Sequence, residues 1–303
     1  MTTANLALDL PQGRLHYRDL GEGDPVVFVH GVLTNGDLWR NVVPRVAETH
    51  RVLAPELPLG AHSEAMDREA DLSPPGLVRL LADFLDALDI DRATFVGVDT
   101  GGALCQLFLA AFPDRVERLV LGNCDAFDNF LPAPFRPLQY AARAPGVVSL
   151  FGRALGVDPL RRAVAATVAR HHLSDVVADS YFGPVSRDAG VRRDLRKVLA
   201  GISAGYTVGA ATRFETFERP VLLVWAPEDR LFPVAHAVRM RDLFPDARLE
   251  LVADSRALIP EDRPDAFTDL LLGFLGEAPA RAEAPDADPD ADSPEPTRGP
   301  TAP

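Results

Sequence analysis

The sequence predicts an α/β fold: a mostly parallel sheet of about eight strands, helices on both faces, and one inserted block of helices. Three observations carry this expectation. Short apolar runs alternate with helical patterns over positions 1–126, which implies parallel strands joined by covering helices. From about Phe127 to Thr216 there is no clear strand, only helical stretches. Alternation then resumes with Val221-Leu222-Leu223-Val224-Trp225 and continues to position 276. The expected organisation is therefore a first core segment at 1–126, a helical cap at 127–216, a second core segment at 217–276, and a tail at 277–303.

The elements follow in order. Leu6–Leu10 and Arg14–Asp19 read as an N-terminal strand pair, and Val26–Val29 as a buried strand ending at His30-Gly31. A helix is expected next, with Leu38, Val42, Val43 and Val46 inward, then a short strand from Arg51 to Ala54. Pro74-Pro75 opens an amphipathic helix through Leu77, Leu80, Leu81, Phe84, Leu85 and Leu88. Thr94–Val98 is a buried strand, Ala103–Phe112 a helix and Val116–Leu121 another strand. In the inserted block, Leu160–His172 and Val191–Ile202 carry helical patterns. Beyond Trp225 come a helix at Val234–Phe244, a strand at Arg248–Val252 and a helix at Pro264–Leu275.

Composition narrows the function. The 303 residues carry a formal net charge of −13, which argues against nucleic acid and anionic membranes as partners. From Glu277 onward there are seven prolines and seven acidic residues against two basic ones, with no large apolar side chain. Such a stretch cannot bury enough surface to offset its ordering entropy, so a disordered acidic tail is expected. Met1–Asn5 lacks a basic leader and no apolar run approaches membrane-spanning length, so a cytoplasmic location is expected. Cys105 and Cys124 have no metal-ligand spacing. No phosphate loop, dinucleotide fingerprint or His/Cys cluster is present, so neither metal nor organic cofactor is implied.

The chemistry concentrates at Gly97-Val98-Asp99-Thr100-Gly101-Gly102. A strand runs into this segment and a helix leaves it, with small residues on both sides of Asp99. That is the pattern of a sharp strand-to-helix turn that lifts one side chain above the sheet. The helix N-terminus behind it offers free N–H groups and positive potential to a carboxylate or oxyanion.

Asp99 is one of four anchors in order; the others are His30-Gly31, Trp225-Ala226-Pro227-Glu228-Asp229 and Asp254-Ser255-Arg256-Ala257-Leu258-Ile259-Pro260-Glu261-Asp262. Together they resemble the α/β-hydrolase superfamily over residues 6–276, and specifically its Asp-nucleophile branch of haloalkane dehalogenases and epoxide hydrolases. The resemblance implies Asp99 as nucleophile and Asp229 as the acid that orients a histidine. It also implies the backbone N–H groups of Val32 and Thr100 as the oxyanion hole. His30 is then a loop brace or part of the pocket.

The fourth anchor departs from the family. Where relatives read Asp-Ser-Gly-His-Phe-Ile-Pro, this chain has Arg256 at the glycine position and Ala257 at the histidine position, and no histidine follows His236. An alkyl ester formed on Asp99 would need water activated by a base, and that base is missing. His62, after the fourth strand, is the candidate replacement; a solvated loop histidine is the plainer reading. His171 and His172 close a helix, and His236 packs at a helix start. Asp125 is an alternative acid, able to act as a base only with a raised pKa.

Dehalogenases usually carry Trp after the nucleophile and often Asn after His-Gly, where this chain has Thr100 and Val32. Epoxide hydrolases use cap tyrosines to protonate the epoxide oxygen, and Tyr140, Tyr181 and Tyr206 fall in the cap. Epoxide chemistry therefore outranks dehalogenation. Phe127, Phe130, Leu131 and Phe135 would lie above Asp99 and suggest an apolar substrate, although a cap–core interface has the same composition. Trp225 completes the set of pocket candidates. Three readings follow: a hydrolase of an apolar small molecule, a non-hydrolytic enzyme with Asp99 as general base for cyclisation, elimination or rearrangement, and a catalytically dead binding protein.

Overall fold

The computed structural model describes residues 6–144 and 146–277. The expected tail lies outside these residues, apart from Glu277. Eight strands form one sheet in the order β1-β2-β4-β3-β5-β6-β7-β8. They are β1 (Leu6–Leu10), β2 (Gly13–Leu20), β3 (Pro25–Val29), β4 (Arg51–Pro55), β5 (Ala93–Asp99), β6 (Val116–Cys124), β7 (Val221–Trp225) and β8 (Ala247–Leu251). β1 pairs antiparallel with β2, and β2 with β4; every other pairing is parallel. β3, β5 and β7 are near-continuous Val/Leu/Phe runs because helices cover both faces of the central sheet.

The helices of the first segment are α1 (Val43–Val46), α2 (Pro74–Ala87) and α3 (Thr100–Ala111). Between β6 and β7 lie α4 (Arg136–Ala141), α5 (Val147–Ala154), α6 (Asp158–Val168), α7 (Asp175–Arg187), α8 (Ala189–Gly201) and α9 (Ala204–Ala211). After β7 come α10 (Val234–Leu243), α11 (Ile259–Asp262) and α12 (Pro264–Leu275). α2 starts where its sequence dictates: the Ser73 side chain accepts the Gly76 N–H, and Pro74 and Pro75 occupy a first turn whose N–H groups have no helical acceptor. No helix among the described residues is long and apolar enough to cross a membrane.

One expected element is divided. In place of a single helix over Leu38–Val46, Gly36–Trp39 forms a 3-10 turn and α1 begins separately at Val43. Pro44 has no N–H for the preceding turn, so the helix restarts with proline in its first turn. The inward residues are as expected, with Leu38, Val42, Val43 and Val46 all buried. α3 also begins earlier than its apolar pattern, at Thr100, directly behind the turn.

That turn fixes the centre of the molecule. Asp99 has φ 54° and ψ −136°, a conformation that side chains rarely adopt, and the tight packing around it requires glycine. A Cβ on Gly101 would fall on the Val29 carbonyl oxygen and lie 2.5 Å from that of His30. One on Gly102 would lie 2.8 Å from Cys124 Sγ, and one on Gly97 2.7 Å from Cys105 Sγ. The two cysteines are thus packing residues beneath the turn, free and buried. Gly101→Ala should therefore destabilise the chain by about 2 kcal/mol, since backbone rather than a flexible side chain must move. Urea denaturation would read this as a lower midpoint with an unchanged slope; an unchanged midpoint would contradict the packing argument.

Candidate active site

Asp99 stands at the carboxyl end of β5, flanked in the sheet by the ends of β3 and β6. Parallel sheets present their ligand sites at these strand ends. A cavity opens above it, with about 710 Å³ of space not filled by atoms, its mouth included. Val32 and Thr100 line this cavity with Asp99, so the expected oxyanion pair and the carboxylate share one space. Leu131, Phe135, Val164, Val168 and Leu258 make most of the wall apolar. Among the described residues, the polar side chains on the wall are Thr34, Asp99, Thr100 and Tyr181.

Burial pushes the Asp99 carboxyl up to about 7, and the nearby Asp229 charge adds to the shift. The Thr100 N–H and hydroxyl, donors close to the carboxyl, act in the opposite direction. The Thr100 hydroxyl donates to Asp125 Oδ2 at 3.1 Å, and its single proton can serve one carboxylate at a time. Asp125 is wholly buried and also accepts the Leu131 N–H at 2.9 Å. Burial and the charge of Asp99 hold its carboxyl well above the usual range. Asp125 does not line the cavity; it ties the start of α3 to the chain entering the helical insertion.

Asp229 follows β7. Its carboxylate accepts Asn123 Nδ2 at 2.9 Å and the N–H groups of Leu231 and Phe232 at 3.1 Å each. Burial raises its pKa, and these donors partly offset the rise. Asn123 Oδ1 in turn accepts the Ala226 N–H at 2.6 Å. This is a carboxylate held in one orientation; Ala257 is wholly buried. Its neighbour Leu258 lines the cavity and donates its N–H to the Val168 carbonyl at 3.0 Å.

Among the described residues, no histidine lines the cavity. His30 is a brace: Nδ1 donates to the Gly31 carbonyl at 2.9 Å, and Nε2 accepts the Leu57 N–H at 2.9 Å. Burial lowers its pKa to about 4, so the ring is neutral. His62, the candidate base, is engaged elsewhere. It is buried with Nε2 3.3 Å from Asp194 of α8, joining the core loop to the helical insertion. It is neither the solvated loop histidine of the plainer reading nor a group on the Asp99 cavity. His171 pairs with Asp254 at 3.3 Å, and the His236 ring stacks edge-on against Phe127.

Other pocket candidates also move. Phe127 is buried under Arg239, 4.0 Å from ring centroid to guanidinium, and against Phe214. Neither it nor buried Phe130 lines the cavity, whereas Leu131 and Phe135 do. Trp225 is a core residue whose Nε1 donates to the Phe232 carbonyl at 2.9 Å, supporting the Asp229 loop. Tyr140 is 64% exposed and does not line the cavity. Tyr181 does reach the cavity, but its hydroxyl donates to Glu261. Glu261 also receives both arms of Arg40, at 2.5 and 2.7 Å. Glu261, Arg40 and Asn123 hold Tyr181 and Asp229 in place, contacts that the sequence reading missed. Glu261 stands inside the fourth anchor, which was its one visible signal. Among the described residues, no cluster of three or more His, Cys, Asp or Glu could hold a metal ion.

The profile of the α/β hydrolase fold family matches residues 24–264, and the chain belongs to that family. An uncharacterized protein of Mycobacterium tuberculosis is 30% identical over 276 residues, covering 86% of this chain and 78% of its own length. Haloalkane dehalogenase 2 of the same organism is 27% identical over 283 residues, covering 88% and 93%. Among solved structures, a haloalkane dehalogenase from Bradyrhizobium elkani superposes with a TM-score of 0.74 at 20% identity. That superposition covers 90% of this chain and 97% of the other, and shows the shared fold. The protein is thus an α/β-hydrolase-family enzyme related to haloalkane dehalogenases.

The raised carboxyl of Asp99 has a consequence for stability. Its folded pKa of about 7 exceeds the ordinary 3.8, so between these values the folded chain binds more protons than the unfolded one. Stability contributed by Asp99 is therefore full below about pH 4 and falls until about pH 7. Asp99→Asn removes the ionisation and should stabilise the protein at pH 8 by roughly 2 kcal/mol relative to the parent. That advantage should vanish toward pH 4. Paired denaturation curves at the two pH values measure it, and an equal difference at both would contradict the shift.

Proposed function

We propose that the enzyme hydrolyses an apolar small molecule with Asp99 as the general base, and that the substrate is an epoxide rather than a haloalkane. One observation carries the reading: a carboxyl with a pKa near neutrality heads an apolar cavity whose lining residues include no imidazole. A covalent ester on Asp99 would need a second base for its release, whereas direct attack by water needs only Asp99. Ionised Asp99 takes a proton from water as the oxygen attacks an epoxide carbon. The C–O bond breaks, and the same proton then neutralises the alkoxide. A pKa near the working pH suits both halves of this exchange.

The cavity wall supports the choice of substrate. It carries no Trp, Asn, Arg or Lys side chain, so no side-chain N–H is present to hold a departing halide. Its donors are hydroxyls, and that of Tyr181 is committed to Glu261. The protonated form of Asp99 then becomes the proton source, in place of the tyrosines expected from the family resemblance. The helical insertion forms the cap in this reading, its apolar residues excluding bulk water.

A second reading is favoured by the Thr100 N–H. It lies beside the Asp99 carboxyl at the N-terminus of α3, and its partial positive charge favours an ionised group that could attack carbon itself. Aryl and alkyl epoxides in ¹⁸O-labelled water separate the two. Direct water attack puts the label in the diol in the first turnover and leaves the mass of Asp99 unchanged. Covalent attack places an unlabelled Asp99 oxygen in the product, or leaves a stalled adduct visible by intact mass. Turnover of a substrate without incorporation of label would instead indicate proton abstraction from carbon. For the general-base reaction, kcat/KM should rise with pH to a plateau above about 7. Asp99→Asn should lower it by about 10³-fold.

A further inference from the structure

Helix α6 faces two different spaces. Val164 and Val168 line the Asp99 cavity, whereas Arg161, Arg162 and Ala165 line a separate surface cleft. The segment Arg170-His171-His172 forms another side of that cleft, and Leu173 lines both spaces. The cleft gathers three arginines and two histidines against one lining carboxylate, Asp175, on a chain of net charge −13.

Part of this charge is answered nearby. Arg161 lies 2.6 Å from Asp158 and 3.8 Å from Asp179, and Arg170 and His171 share Asp254 at 2.6 and 3.3 Å. Arg162 and His172, both exposed, have no carboxylate within 4.0 Å among the described residues. The backbone of the cleft is held in place: buried Asp262 accepts the N–H groups of Arg170 and His171 at 2.9 and 2.8 Å. An anion here would therefore meet cations presented by an anchored segment.

We propose that this cleft binds an oxyanion, carboxylate or phosphate, forming the acidic head of a substrate whose apolar body lies in the Asp99 cavity. The inference rests on the reading of that cavity as the substrate site. An acidic head cannot follow the body inward, because the wall there is apolar and ionised Asp99 would repel it. Leu173 borders both spaces, and the cleft on its far side presents guanidinium groups, whose paired N–H donors match the oxygens of a carboxylate or phosphate. The substrate class thereby becomes an anionic amphiphile, reacting at a carbon within its apolar part.

Calorimetric titration of the intact chain with n-decyl phosphate, n-decanol and inorganic phosphate tests this. Decyl phosphate should bind about tenfold more tightly than decanol, and far more tightly than inorganic phosphate. The preference should shrink in high salt, because the cations are exposed. The double variant Arg162→Ala, His172→Ala should remove most of it while leaving decanol affinity unchanged. Equal affinities for decyl phosphate and decanol would overturn the proposal while leaving the cavity reading intact. A preference that survives the double variant would do the same. So would inorganic phosphate binding as tightly as decyl phosphate, because that anion site would owe nothing to the cavity. Binding of neither amphiphile would overturn the cavity reading and this inference with it.

Discussion

The structure depends on one strained residue held by close packing. Asp99 keeps a positive φ because the chain around it leaves no room for another path. Such a conformation costs on the order of 1–3 kcal/mol and persists only where the surroundings over-determine it. Here β3, β6 and α3 all press on the turn, and glycine stands where each approaches most closely. Gly31 belongs to the same arrangement: a Cβ there would lie 2.6 Å from both Cβ and Cγ of Asp99. The strain puts one carboxyl at the boundary between a packed sheet and an apolar cavity, with the start of α3 behind it.

The electrostatics follow from that placement. Asp99, Asp125 and Asp229 are three acidic groups near one strand-end junction, and burial raises all three pKa values. Asn123 and two backbone N–H groups hold Asp229 in a single orientation. In the proposed reaction the exchanged proton resides on Asp99, and its pKa near neutrality makes that chemically workable.

Much of this was visible in the sequence because its signals were local. Buried strands are short apolar runs, and the turn at Asp99 is a strand, a cluster of small residues and a helix in immediate succession. The helix over Leu38–Val46 misled because its apolar spacing is helical while Pro44 breaks the backbone. Phe127 and Phe130 misled because apolar density does not distinguish a cavity wall from an interface. The pairing of His62 with Asp194 spans 132 residues, and that of Tyr181 with Glu261 spans 80. No periodicity records which distant polar groups meet, so these networks became visible only in three dimensions.

The central claim is that Asp99 exchanges a proton near neutral pH without a histidine. Carbon-13 NMR of protein labelled at the aspartate carboxyl carbons tests it most directly, with Asp99→Asn assigning the resonance. The account predicts a titration midpoint near 7. A midpoint in the ordinary aspartate range, near 4, would mean a carboxylate permanently ionised at working pH, and would contradict it.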